Sequence, residues 1–196
     1  MTVRIALATG AAIEAYLDAL AGLRTSVFRE YPYLYEGSLA YEREYLASYT
    51  GSPDSVVVLA IDGERVVGAS TALPLAQHSD EVVQPLERAG FAPASVFYFG
   101  ESVLEPAYRG RGLGSVFFVE RERRARERGF PVATFCAVDR PADHPRRPPG
   151  YAPPGALWQR HGFVRRPDIV GQFSWQDIGH AGETVKPMVF WVKELA

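Results

Sequence analysis

The sequence predicts a mixed α/β (α+β) fold: a central mixed β-sheet of about seven strands, with parallel and antiparallel pairs, flanked by helices. Three observations carry that prediction. The segment "SVVVLAIDGERVVGASTALPL" holds two β-branched runs joined by Asp62-Gly63, the two-residue turn that makes its flanking strands antiparallel neighbours. Further on, "SVFYFGESVL", a glycine loop, "SVFFVERERRARERGF" and "VATFCAV" read as strand, loop, helix and strand. The strands of such a unit must run parallel, because the chain crosses over between them. Finally, 196 residues that are 47% hydrophobic and 22% charged, with no low-complexity tract, suffice for a packed core. With no repeat and no composition shift to mark a linker, residues 1–196 are expected to form a single domain.

The remaining elements follow in order. "TVRIALAT" alternates as a short strand, and "GAAIEAYLDALAGLRTSVF" sets Ile13, Leu17, Leu20, Leu23 and Val27 at helical spacing. Pro32 and Gly37 interrupt regular structure before "SLAYEREYLASYTG", a second helix with Ser38 as N-cap and Gly51 past its end. On that helix Tyr41, Tyr45 and Tyr49 stand at i, i+4 and i+8, the pattern of a face packed on the core. Residues 76–94, with Pro85, Gly90 and Pro93, form a connection with room for one short helix. The helix after the glycine loop closes at Gly129 and Pro131. Its run Glu120 to Arg128 alternates in sign, with Glu120–Arg124 and Glu122–Arg126 at i, i+4, so it is read as a solvated face. Six prolines between residues 139 and 155 exclude regular structure; "ALWQRHGF" is a short helix, and "VGQFSWQDI" and "KPMVFWVKEL" are the closing strands. Trp175 and Trp191 on those strands could form a homodimer surface.

Composition limits the classes of partner. A net charge of −2 gives no general attraction to nucleic acid or to an anionic membrane, so neither is an expected partner. The only cysteine, Cys136, excludes an internal disulfide and cysteine-cluster metal sites, and the four histidines lie too far apart to suggest a metal; none is expected. The N-terminus lacks the features of a signal peptide, and no apolar run reaches the roughly 20 residues that span a bilayer. The expected location is cytoplasmic.

The stretch "ESVLEPAYRGRGLGSVFF" raises the sharpest question. Gly110, Gly112 and Gly114 alternate beside Arg109 and Arg111 and open a helix directly, where backbone N–H groups and the helix dipole make an anion site. A Walker loop needs G-x-x-x-x-G-K-[ST], and the lysine is missing. A dinucleotide fingerprint is closer, with Asp139 placed as a ribose-binding acid. It lacks its third glycine, replaced by Ser115, and "EPAYR" separates strand from glycines where that loop turns at once. Arg109-Gly110-Arg111-Gly112-Leu113-Gly114 matches R/Q-x-x-G-x-G/A instead. The passage resembles the signature of the Gcn5-related N-acetyltransferases (GNAT), and the order of elements follows that superfamily over nearly the full length.

The resemblance implies an acyl-CoA N-acyltransferase fold whose sheet splays between "SVFYFGESVL" and "VATFCAV". It implies acetyl-CoA as acyl donor, its pyrophosphate cradled by Arg109, Gly110, Arg111, Gly112, Leu113, Gly114 and Ser115. The main chain of Val103 and Leu104 would pair with the pantetheine as an added strand, and N–H groups near Leu104 would face the oxyanion. The reaction would be direct attack of a primary amine, of unidentified and small-molecule nature, on the thioester, with a base to neutralise the amine and an acid for the thiolate. Glu101 is the candidate base, because it interrupts the apolar run "VFYFGESVL", where a carboxylate is costly unless paired or used. The competing role is a structural partner for an arginine such as Arg24, with a bulge at Gly100. The family's usual tyrosine slot holds Trp158, whose indole is no usable acid, so Tyr151 in the proline-rich loop is the candidate acid. Tyr31, Tyr33, Tyr35 and Glu36, between the first two helices, are candidate acceptor-binding residues, suited to a cationic amine. Two further readings stay open: a CoA-binding module with weak or no catalysis, and a dinucleotide-dependent oxidoreductase.

Overall fold

In the computed structural model, which describes residues 3–195, the strands and helices alternate as the sequence pattern demands. They are β1 (Arg4–Ala8), α1 (Leu17–Val27), α2 (Leu39–Thr50), β2 (Val56–Asp62), β3 (Arg65–Pro74), α3 (Asp80–Arg88) and β4 (Val96–Leu104), followed by α4 (Leu113–Glu127), β5 (Val132–Val138), α5 (Gly155–Arg160), β6 (Val164–Gln176) and β7 (Glu183–Glu194). Thr2, the first residue of the expected opening strand, lies outside the described residues, as do Met1 and Ala196. The strands join in one seven-stranded sheet, β1-β2-β3-β4-β5-β7-β6. The β4–β5 pair is parallel and the other five are antiparallel.

Both faces of the sheet are covered, which is why β2 reads as an uninterrupted apolar run. Val57, Leu59 and Ile61 pack with α1, α2 and α3, whereas Val56, Val58 and Ala60 pack with α4 on the other face. The Asp62-Gly63 turn forms as expected, with Gly63 at φ +62°. The opening helix differs from expectation in its first turns: Gly10–Tyr16 is 3₁₀, and Thr9 provides no side-chain cap for an α-helical start. β6 begins at Val164 rather than Val170. Its register shifts between Arg166 and Val170, and as an edge strand it tolerates Pro167 there.

Three side-chain expectations are corrected. The tyrosine stripe of α2 is only partly core: Tyr49 is fully buried, but Tyr41 is 58% exposed, because the N-terminal half of α2 overhangs a cleft. The charged run of α4 is not wholly solvated, since Arg121 and Glu122 are buried in the stripe that also carries Phe117 and Ala125. Glu120 pairs with Arg123, not Arg124, which donates to the carbonyls of Pro53 and Asp54; Glu122–Arg126 forms as expected. Of the two tryptophans named for a dimer surface, Trp191 is buried and Trp175 is half-buried. Trp191 is buried against Phe135 and Trp158, and Trp175 donates its indole N–H to the Tyr33 carbonyl.

Two irregularities of β4 position the site. Ser70 pairs with Ser102 and Ala72 with Phe99, so Gly100 and Glu101 stand together opposite Thr71 in a β-bulge. Beyond the bulge, Glu101 is buried and Ser102 is exposed. β4 also pairs with β5 at only three positions, Val96–Val132, Phe97–Ala133 and Tyr98–Thr134. From there β5 pairs only with β7, and a gap opens beside the bulge.

Gly100 fits because a Cβ would collide with Thr71 Oγ1 and the Tyr49 hydroxyl, whereas a Cβ on Gly22 in α1 would meet nothing within 4 Å. Gly100→Ala is therefore expected to cost about 1–3 kcal/mol. Gly22→Ala is expected to be neutral or to stabilise by up to about 1 kcal/mol. Urea unfolding of both variants checks the contrast.

Candidate active site

The gap between β4 and β5 joins two clefts. The first, of about 610 Å³, runs between the glycine loop, α4, α5 and β5. The second, of about 1120 Å³, lies between α2, the start of α3 and β6. Five residues line both: Phe28, Tyr33, Gly100, Glu101 and Cys136. The two clefts thus adjoin at a wall to which Glu101 contributes the one carboxylate.

Glu101 is held in an ion cluster that no local pattern announces. Arg24 from α1 reaches Glu101 Oε2 with Nη1 at 2.5 Å and pairs with Glu42 of α2 through Nε. Burial opposes the Arg24 charge, but Glu101, Tyr45 and Glu42 outweigh it and raise the guanidinium above its ordinary value. Two carboxylates surround one guanidinium, which also lies over the rings of Phe28 and Tyr45 at 4.9 and 4.3 Å. Glu101 Oε1 is buried and has no hydrogen-bond partner. The carboxylate thus has one oxygen fixed by Arg24 and one free to accept a proton. The pairing with Arg24 and the bulge at Gly100 are both present, so the structural role and the position at the junction belong to the same, buried residue.

Beneath the bulge lies Arg121, 1% exposed and with no carboxylate ion pair among the described residues. It donates to the carbonyl of Phe117 at 3.1 Å and to Ser102 Oγ at 2.9 Å, with longer contacts to the carbonyls of Thr71 and Glu101. Burial pushes it down to about 9. Its bonds fix the backbone on which Glu101 sits.

The glycine loop closes the first cleft. Gly110 and Gly112 adopt φ of +75° and +81°, the left-handed region that favours glycine, and Gly112 caps α4 without any side-chain hydrogen bond. The start of α4 is left to an incoming acceptor of hydrogen bonds, the arrangement that suits a phosphate. Leu104, Arg109, Gly110, Gly112, Gly114 and Ser115 line the cleft; Val103, Arg111 and Leu113 do not. Arg111 lies over the Tyr108 ring at 5.1 Å, and Val103 and Leu113 face the core. Arg109 spans to Glu30 with bonds of 2.7 and 3.1 Å and donates through Nε to the Leu104 carbonyl.

A family model described as the acetyltransferase (GNAT) family matches residues 20–148, which include the bulge, the glycine loop and α4. The chain belongs to the GNAT acetyltransferase family. As a member it is an acetyl-CoA-dependent N-acetyltransferase. Solved structures with the same fold include a ribosomal-protein-alanine N-acetyltransferase from Brucella melitensis, with 20% identity, coverage of 98% of this chain and 99% of the other, and TM-score 0.62. A phosphinothricin acetyltransferase from Sinorhizobium meliloti in complex with acetyl-CoA shares 19% identity over 100% and 90% of the chains, with TM-score 0.61. The putative acetyltransferase yncA from Salmonella typhimurium, also with acetyl-CoA, shares 15% over 100% and 95%, with TM-score 0.58. No curated protein sequence matches the chain significantly. Among the described residues no helix is long and apolar enough to cross a membrane.

Within this GNAT fold the other expected site residues fall in different places. Tyr33 lines both clefts; Tyr35 and Glu36 line the second, and Tyr31 lines the first. Burial raises the hydroxyls of Tyr33 and Tyr35, the latter helped by the charge of Glu42. Glu36 pairs with Arg29 at 2.5 Å. Tyr151 lines neither cleft: its ring meets Tyr31 edge-on at 4.7 Å and lies under Arg147, so it braces the wall of the first cleft from outside. Trp158 does line the first cleft, packed edge-on against Phe135 and Trp191.

The second cleft also contains Arg24, Tyr41, Tyr45 and Trp175, for which the sequence suggested other roles, and His78 and Tyr98, which it did not single out. The long connection before α3 was the available signal for His78, since loops that long often carry function. The loop 31–36 is locked in place by Arg140, which donates to the carbonyls of Pro32 and Tyr33 and to both oxygens of Asp177. Burial works against the Asp177 carboxylate, but Arg140 and Lys186 hold it below its usual range.

His78 is held neutral. Burial, with Arg24 adding to it, pushes the ring down to about 4, and its Nδ1 accepts the Ser79 N–H at 2.8 Å beside the rings of Tyr98 and Tyr45. An unfolded chain protonates this histidine near its ordinary value of 6.5, whereas the folded one resists until about 4. The unfolded state thus binds more protons in that window, and stability falls as pH drops through it. The melting temperature of His78→Gln is expected to fall less than that of the wild type between those two pH values; differential scanning calorimetry across the window checks this.

Proposed function

We propose that the protein transfers the acetyl group of acetyl-CoA to a primary amine of a small molecule by direct attack, with Glu101 as proton acceptor. The observation that carries the reading is the position of Glu101 on the wall shared by both clefts, with Oε1 free and Oε2 fixed by Arg24. In this reading the first cleft takes the donor and the second the acceptor. The left-handed glycines and the uncapped start of α4 suit the pyrophosphate, held by Arg109, Gly110, Gly112, Gly114 and Ser115, with Arg111 and Leu113 shaping the loop from behind. The free edge of β4 after Tyr98 suits the pantetheine along Val103 and Leu104, for which Arg109 would give up the Leu104 carbonyl. When bound, acetyl-CoA supplies the activated acyl group.

An ammonium entering the second cleft meets Glu101 at its inner end and loses a proton to Oε1, which makes the nitrogen a nucleophile. Tyr33 and Cys136 are the hydroxyl and thiol at the junction, and burial keeps both protonated, the thiol being pushed up to about 12. We assign hydrogen-bond donation toward the departing sulfur to Tyr33, in place of Tyr151, which lines neither cleft. Tyr35 and Glu36 join Tyr33 on the acceptor wall. The continuous sheet supports reading residues 1–196 as one N-acetyltransferase domain, and the free thiol of Cys136 suits the cytoplasm.

Glu101→Gln keeps a group that can contact Arg24 but removes the proton acceptor. Turnover at neutral pH, read as thiol release with an excess of amine, is expected to fall by about 10²-fold or more, with acetyl-CoA affinity by calorimetry nearly unchanged. Full activity in that variant removes Glu101 from the mechanism.

A further inference from the structure

The second cleft has a charge pattern that its catalytic residue does not account for. Six carboxylates line it, Glu36, Glu44, Asp80, Glu81, Glu101 and Glu183, against the single guanidinium of Arg24. That guanidinium is already held between Glu42 and Glu101, and His78 stays neutral, so nothing in the cleft balances the excess. Glu44, Asp80, Glu81 and Glu183 form no ion pair among the described residues; of the six, only Glu101, with Arg24, and Glu36, with Arg29, do so there. Carboxylates from three elements line the cleft, Glu44 from α2, Asp80 and Glu81 from α3 and Glu183 from β7, and Glu81 and Glu183 add to the larger effects of burial and Glu42 in raising the Tyr41 hydroxyl. At the inner end, Glu101 is 8% exposed and its Oε1 has no partner.

We infer that the acceptor is a small organic polycation, an unbranched aliphatic amine whose reacting nitrogen goes to Glu101 and whose second, permanently protonated nitrogen lies among the carboxylates of the mouth. This rests on the acetyltransferase reading above. The attacking nitrogen must shed its charge, and Glu101 serves that step alone; the remaining carboxylates are idle unless a second positive charge stays on the substrate. Aromatic rings of Tyr41, Tyr45 and Trp175 line the path between, and such faces accept both methylene chains and ammonium groups. An acceptor bearing its own carboxylate would meet like charge at the mouth and no free cation within, which argues against amino acids.

The test compares butylamine, 1,4-diaminobutane and spermidine as substrates of the full chain with saturating acetyl-CoA, read as thiol release. Isothermal calorimetry of the same amines on the CoA-loaded protein reads the cleft without turnover. At low salt kcat/KM is expected to be about tenfold higher for the diamine than for butylamine, higher again for spermidine, and to converge as salt screens the mouth. In the Glu81→Gln/Glu183→Gln double variant the diamine-to-butylamine ratio is expected to collapse toward one, a ratio that general loss of folded protein does not move. Equal use of monoamine and diamine, an unchanged ratio in the double variant, or better use of glycine or of a lysine-rich peptide overturns the inference and leaves the transferase reading standing. Tight, salt-sensitive spermidine binding without any acetyl transfer does the reverse.

Discussion

β4 and β5 run side by side for three residue pairs and then part, because β4 bulges at Gly100–Glu101 while β5 turns its remaining hydrogen bonds to β7. Almost everything specific to this molecule depends on that separation. Had the parallel pairing continued to the end of β4, the sheet would have no gap, the two clefts would not meet, and the loop of three glycines would lead to a closed surface. The bulge survives because Gly100 has no side chain to collide with Thr71 and Tyr49, and because Arg121 donates to the carbonyls and hydroxyl around it from below.

The ion cluster at the junction gives Glu101 a stabilising role, and in the proposed reading the same side chain also takes the proton. Burying a carboxylate without a partner would cost several kcal/mol, more than most domains can spare. Arg24 offsets that cost for both Glu42 and Glu101, yet with two acids to one base each keeps an oxygen without a hydrogen bond. Oε1 is buried in both, but Glu101 lies on the walls of both clefts and Glu42 on neither. The two carboxylates differ in where they lie, not in residue type.

Charge is also distributed in a way that the net value of −2 hides. Arginines 109, 121 and 160 line the cleft closed by the glycine loop, while carboxylates dominate the other. In the proposed reading, a more basic cleft and a more acidic one on either side of the junction would suit an anionic donor and a cationic acceptor.

Local features of the chain were legible without coordinates. The Asp62-Gly63 hairpin, the cap at Ser38, the glycine-to-helix transition at Gly112 and the strand–helix–strand unit depend on neighbours within a few residues, so their chemistry is written in order along the chain. Even the choice between two roles for Glu101 could be posed, since a carboxylate in "VFYFGESVL" needs an explanation. The sequence could not say which distant groups meet. That Arg24 stands between Glu42 and Glu101, that Tyr151 braces Tyr31 outside the cleft, and that Glu81 and Glu183 line the same cleft as Tyr41 follow from how α1, α2, α3 and β7 pack around the split sheet. Those contacts span tens to more than a hundred residues and are set by strand register and helix placement, which depend on the whole core at once; periodicity fixes which face of an element is apolar, but only packing decides what the face meets.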